Sequence, residues 1–204
     1  MVAGTGAFGF SGDGGPASEA RLSNPFGVAT DRMGNLYIAD QGNSRIRKIT
    51  SDGIIRTVVG GGSSRFPDGD GGPATQATIG GPGSIAVDSA GNIYLNGQLD
   101  MMMRKVTATD GIIRQFPVIR AGLIVVDPSD NLFIYGGHLV QSLRKVDANG
   151  SGEQVLFPSL YLSSINGIAA DRSGSLYLSS ENRILKATPD GALKTIAGEL
   201  APGF

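Results

Sequence analysis

Cysteine is missing from the 204 residues, and histidine occurs once, as His138. Without thiols, disulfide staples and thiolate metal sites are excluded. A single imidazole cannot build a multi-histidine zinc centre. An excess of either charge is missing too: the formal net charge is −1, and aromatics make up 6%. That balance supplies neither the electrostatic funnel nor the stacking platform of a nucleic-acid binder, so no nucleic-acid partner is expected. No apolar run approaches the ~20 residues that cross a bilayer, and no membrane partner is expected either. The opening MVAGTGAFGF has no cationic head and no long apolar segment, which argues against a signal peptide. The chain reads as soluble, and as cytoplasmic or, if a fragment, secreted. No GxSxG nucleophile motif occurs. GTGAFG at 4–9 matches a dinucleotide fingerprint in form, but no helix follows it.

Glycine, in contrast, is abundant: its 32 copies are about twice ordinary usage. The stretch 26–60, FGVATDRMGNLYIADQGNSRIRKITSDGIIRTVVG, shows where they go. Four apolar runs (Phe26 to Ala29, Leu36 to Ala39, Arg45 to Ile49, Ile54 to Val59) are split by breaks carrying Gly beside Asp or Asn. Those residues accept a positive φ at little cost. Each run has strand length and is rich in Val, Ile and Tyr, and none is long enough for a stable helix. The unit predicts a four-stranded antiparallel meander, written four times over about 26–60, 84–118, 122–158 and 166–198. Asp31, Asn35, Tyr37 and Arg47-Lys48 return as Asp88, Asn92, Tyr94 and Arg104-Lys105 at one offset of 57. The third copy has Asp127, Asn131, Phe133 and Arg144-Lys145, and the fourth Asp171, Tyr177, Arg183 and Lys186. Every third break carries a hairpin dipeptide: Asp52-Gly53, Asp110-Gly111, Asn149-Gly150 and Asp190-Gly191. The second runs (LYIA, IYLN, LFIY, LYLS) are nearly continuous in apolar residues, as strands covered on both faces are. Short repeated sheets covered on both faces predict an all-β chain, a β-propeller, forming one domain over 1–204.

The cadence G-V/I-A-x-D-x-x-G-N-L/I-Y-I/L, followed by R-I-R-K and D-G-I-I, resembles the NHL-repeat β-propellers over almost the whole chain. The linkers GDGGPASEARLSNPFG (12–27) and GDGGPATQATIGGPGS (69–84) are similar to the inter-blade loop of bacterial members. The third and fourth copies lack that loop, and Asp40 and Asn43 of the first copy are not kept in the others. Residues 1–10 align with 195–204, as an orphan outer strand would. The family usually has six blades. Three readings follow: a fragment, a small closed ring of four or five blades, or a half-ring completed by a second copy as a homodimer.

The resemblance implies that loops entering the inner strands, and those between the second and third strands, gather on one face. Asp13, Asn24, Asp40, Asn43, Asp68, Asp70, Asn96, Asp100, Tyr135, His138, Asn166 and Glu181 fall there. Asn43, Tyr135 and Glu181 are the candidates for ligand contact. His138 is either a general base or an exposed loop residue. Asp68-Gly-Asp70-Gly has the oxygen-rich look of a calcium loop without the closing Glu of an EF-hand, and equally suits Asp side chains capping their own turn. Asn24 and Asn166 are further oxygen ligands if a calcium ion sits centrally, as the likeness to propeller hydrolases would imply. Asp31, Asp88, Asp127 and Asp171 recur in every copy, the opposite of a single site, and read as turn anchors. Met101 to Met103 read as a loop between second and third strands, there for blade-edge packing rather than as a binding surface, though Met adapts to varied apolar ligands.

Two functions are expected from this. The first is a binding module engaging a protein, glycan or small-molecule ligand through its loops. The second is a calcium-dependent lactone or ester hydrolase, with the ion polarising the carbonyl and His138 or a carboxylate moving the proton.

Overall fold

The computed structural model describes residues 2–64, 68–97, 102–119, 121–136, 141–157 and 165–198. The chain forms two compact units, Met1–Arg120 and Ala121–Phe204. Unit 1 holds blade 1, strands β1 (Pro25–Thr30), β2 (Leu36–Asp40), β3 (Arg45–Ile49) and β4 (Ile55–Val59), and blade 2, strands β5 (Pro82–Val87), β6 (Ile93–Gly97), β7 (Met102–Val106) and β8 (Ile113–Ile119). Unit 2 holds blade 3, strands β9 (Ala121–Val126), β10 (Leu132–Gly136), β11 (Ser142–Val146) and β12 (Gln154–Leu156), and blade 4, strands β13 (Ile165–Ala170), β14 (Leu176–Ser180), β15 (Arg183–Ala187) and β16 (Leu193–Gly198). Each blade is an antiparallel sheet in plain chain order. This is the all-β fold of four-stranded propeller blades that the repeats predict.

The first break of each blade is built on its aspartate. Asp31 Oδ1 accepts the N–H groups of Met33 (3.0 Å) and Asn35 (2.9 Å), while Oδ2 accepts Asn35 Nδ2 (2.7 Å) and the Tyr37 hydroxyl (3.2 Å). Asp88 repeats the set with Asn92 and Tyr94, and Asp171 with Ser175 and Tyr177. In blade 3 the ring is Phe133, which offers no hydroxyl, and Asp127 makes the turn bonds to Ser129 and Asn131. Lys48 and Lys186 each lie 3.7 Å from the aspartate of their own blade. These carboxylates are consumed in making turns.

The third break is a tight hairpin in which Thr50 N donates to Ile54 O and Gly53 N to Thr50 O. Gly53 sits at φ +82 with open space where a Cβ would be, so glycine is required there by backbone sterics alone.

Within unit 1, Tyr37, Ala39, Ile46 and Val59 of blade 1 pack against Ile85, Ile93, Leu95, Val106 and Ile113 of blade 2. Gly27 and Gly83, on the two innermost strands, approach so closely that a Cβ on Gly27 would collide with the Gly83 carbonyl. Within unit 2, Phe133, Tyr135 and Leu143 pack against Ile165, Leu176, Leu178 and Leu185. The middle strands β2, β6 and β10 are largely buried, as continuous apolar runs require. In β14 burial alternates, and Tyr177 and Ser179 are only half-buried.

One expectation is corrected. Met102 and Met103 do not lie on a loop: they open strand β7, and Met103 is fully buried. Met101 lies outside the described residues.

Candidate functional site

Four of the candidate polar residues of unit 1, Asp13, Asn24, Asp40 and Asn43, converge around the end of β2 in blade 1. Asp40 is the last residue of that strand and is fully buried. Its Oδ1 accepts Ser23 N at 2.7 Å, and its Oδ2 accepts Asn43 Nδ2 at 2.8 Å and Arg47 Nη1 at 3.4 Å. Asn43 closes a 3-10 turn over Gln41–Asn43 and also donates to the Gly9 carbonyl at 2.8 Å. Asn24, at φ +47, donates to Gln41 Oε1 at 2.7 Å.

Behind this loop lies Arg47, fully buried in β3. Its Nε and Nη2 both reach Asp13 Oδ1, at 3.1 and 2.8 Å, and Nη2 also meets the Ser11 carbonyl at 3.0 Å. Phe10 is stacked by the guanidinium groups of Arg45 and Arg47, at 4.2 and 4.8 Å from its centroid. A buried guanidinium is tolerated only when charges and hydrogen bonds surround it, and here two carboxylates, a carbonyl and a ring do so. Blade 2 repeats the device: Arg104 Nη2 lies 3.3 Å from Asp70 Oδ2, and Nη1 donates to Thr78 O at 2.8 Å.

The segments that carry these aspartates are strapped to the edge strands. Gly14 N donates to Ile55 O (2.8 Å), Ile55 N to Gly15 O (3.0 Å) and Ala17 N to Gly53 O (2.8 Å). In blade 2 the same three bonds join Gly71 to Ile113, Ile113 to Gly72 and Ala74 to Gly111, at 2.8, 3.1 and 2.9 Å. The linker 60–81 is also laced to itself, Gly60 N to Ala74 O and Gly62 N to Ala77 O.

Of the residues read as calcium ligands, Asp70 is thus held by Arg104, and Asp68 Oδ1 accepts the N–H of Gly69 at 2.7 Å. Asn24 belongs to unit 1 and Asn166 to strand β13 of unit 2. Among the described residues no three His, Asp or Glu side chains gather as metal ligands. Asn96 lies in strand β6, where its Oδ1 accepts Ser84 N at 2.6 Å.

In unit 2, Tyr135 lies inside strand β10, 4% exposed, and its hydroxyl meets Ile165 N at 3.4 Å. Glu181 takes φ +52 in the tight turn between β14 and β15, with its carboxylate 3.9 Å from Arg183 Nη2. Tyr135 is therefore core, and Glu181 is the more accessible of the two. His138 and Asp100 lie outside the described residues. A pocket of about 340 Å³ opens between blades 3 and 4, with Phe133, Leu156 and Phe157 on one wall and Leu176, Thr188 and Pro189 on the other. Its only sequence signal is the shortness of the linker, residues 157–164.

Large apolar side chains stand exposed on blade 1 and its approach: Phe8 at 82%, Phe26 and Val28 at 67%. Phe26 and Val28 alternate along β1, whose burial pattern leaves every second side chain open. Sequence reasoning missed them, because an apolar run does not show which of its side chains a neighbour covers.

Residues 7–68 match the family model of the Teneurin NHL domain, a stretch that takes in the Asp13 loop and all of blade 1. Mouse Teneurin-1 is 31% identical over 198 residues, which is 92% of this chain and 6% of that protein. Human Teneurin-4 is 47% identical over 49 residues, 24% of this chain and 2% of that protein. The chain thus spans only a small part of the length of these relatives. Among solved structures, virginiamycin B lyase from Staphylococcus aureus superposes with a TM-score of 0.63 at 17% identity, covering 92% of this chain and 61% of that one. At that identity the likeness is one of fold. Repeats, blade geometry and the matched residues agree, and the chain is an NHL-repeat protein with the β-propeller fold.

Proposed function

We propose that this chain is a propeller-type binding module that engages a macromolecular partner, protein or glycan, through blade 1 and the loops around it. The observation that carries this reading is the exposure of Phe8, Phe26 and Val28 beside a loop whose polar groups are already bonded internally. Large apolar residues exposed together on an ordered sheet are what a docking surface offers, and aromatic side chains are favoured at such surfaces. Asn43 holds the loop in shape, and Glu181 offers an accessible carboxylate on blade 4. We assign the GDGGPA linkers to the bacterial type of NHL propeller, on the sequence of those two loops alone.

The test is a protein and glycan array probed with the purified chain and with a Phe26→Ser, Val28→Ser double variant. Because both side chains are exposed, the variant is expected to fold while losing its array signals. Signals that survive the double substitution would dispose of this surface as the site. A second copy of the chain is one protein partner consistent with this reading, since Ile184 and Ile196 on blade 4 are 36% and 51% exposed. Solution mass tests that directly.

The second reading is a calcium-dependent lactone or ester hydrolase using Asp68, Asp70, Asn24 and Asn166 as oxygen ligands and His138 for proton transfer. Two observations favour the binding module over it: the Asp70 carboxylate is paired with Arg104, and Asp68 Oδ1 accepts the N–H of Gly69. Calcium-dependent melting together with turnover of a lactone panel would reverse that preference.

A further inference from the structure

Arg47, Arg104, Arg144 and Leu185 hold one position in the third strand of the four blades, each paired across to the middle residue of the second strand: Ile38, Leu95, Ile134 and Leu178. In blades 1 and 2 the arginine is buried and receives an aspartate, Asp13 or Asp70, from a Gly-Asp-Gly-Gly segment. Blade 4 has neither partner: its arginine is replaced by Leu185, 3% exposed in an apolar core. Blade 3 breaks the rule. Its arginine is kept and is 7% exposed, yet β8 ends at Ile119 and β9 begins at Ala121, leaving no room for such a segment.

Arg144 Nη1 donates to Glu153 Oε1 at 3.2 Å. Its Nε and Nη2 are buried and have no hydrogen-bond partner among the described residues. These are the two nitrogens that in Arg47 grip Asp13 together. Leaving that edge of a buried guanidinium unpaired is costly, whereas a carboxylate across Nε and Nη2 meets both donors at once.

We propose that this edge of Arg144 is a binding site for an aspartate carboxylate carried by an extended, glycine-rich segment of the Gly-Asp-Gly-Gly type from a partner. The site takes in trans what blades 1 and 2 receive in cis. Glu153, which occupies the place of Ile55 and Ile113 in the register, neutralises one nitrogen and leaves the outer pair for the ligand. Both nitrogens are shielded from solvent, so the segment gains access through local opening, and association is slow. The inference does not depend on the blade 1 surface, because it uses different residues and a different unit.

The experiment is calorimetric titration of the purified chain with the synthetic peptide GDGGPASEAR, its GNGGPASEAR counterpart, and sodium acetate. The aspartate peptide is expected to saturate, with the asparagine peptide at least about tenfold weaker and acetate without saturable heat. Arg144→Leu, which copies blade 4, is expected to abolish the binding while melting at or above the wild-type temperature. If that variant does not fold, Arg144→Lys serves: it keeps the charge, loses the planar fork and is expected to weaken binding at least about tenfold. Equal affinity for both peptides, saturation by acetate, binding that persists in the arginine variants, or no saturable binding by the wild type would each overturn the proposal.

Discussion

The two units solve one packing problem in opposite ways. In unit 1 the long linker 60–81 turns back between its blades and fills the space there, burying Ala74, Ala77 and Ile79 and delivering Asp70 to Arg104. In unit 2 the connection is residues 157–164, and the space is closed by side chains: Leu185 replaces the arginine, and Phe157, at φ +53, stands where blade 1 has Gly60. What those side chains do not fill remains as the pocket. Loop aspartate and strand arginine therefore form one device, and a blade without the loop does better with leucine. That follows from the cost of burying a charge alone.

The strongest way to break the comparison is Arg47→Ala. It strands the buried Asp40 and releases Asp13, and about 3–5 kcal/mol should be lost in a denaturant titration. A loss below about 1 kcal/mol would mean that the ion cluster is dispensable to unit 1.

Next in size are truncations at one repeat position in two blades. Ile85 is 4% exposed and Val28, its counterpart 57 residues earlier, is 67% exposed. Ile85→Ala should cost about 2–4 kcal/mol, and Val28→Ala less than about 0.5 kcal/mol. Equal costs would show that the exposed face of blade 1 is covered in solution.

Gly53→Ala comes third. Nothing crowds the added methyl, so the penalty is the left-handed backbone alone, about 1–2 kcal/mol by thermal melting.

The smallest effect is on pH dependence. The Ser173 hydroxyl, helped by the Ser175 amide and the Tyr177 hydroxyl, holds the Asp171 carboxyl well below its ordinary 3.8. Thr50 does the same for Asp52, and Thr188, whose hydroxyl donates to the carboxylate, for Asp190. A carboxylate whose folded pKa is depressed adds stability that is complete above its unfolded value and fades as pH falls toward the folded one. Melting temperature should thus be flat down to about pH 5 and fall below about pH 4. Asp171→Asn should make that acid limb shallower, and an unchanged limb would remove Asp171 from the account.

Much of the fold was legible because the chain punctuates itself. Asp31 and its counterparts open turns, Gly53 and its counterparts close hairpins, and LFIY could only be a strand covered on both faces. Where the loops begin and end was harder. Tyr135 ends the LFIY run yet also counts among the residues at the loop face, and the structure keeps it in the strand and buries its ring. Met102 and Met103 were hidden similarly, since three methionines in a row carry no strand period. Least legible was the pairing of Arg47 with Asp13, 34 positions apart. An arginine beside a lysine looks like a surface pair, and only the sheet reveals that one points inward while Lys48 lies against Tyr37.

The lacing of Gly60 and Gly62 to Ala74 and Ala77 has a mechanical consequence. A linker wedged between the elements it joins is fastened at both ends, so a protease cut at residues 63–64 would leave the halves clasped. Unit 1 should therefore tolerate being made as two polypeptides that find each other, a rivet in place of a hinge.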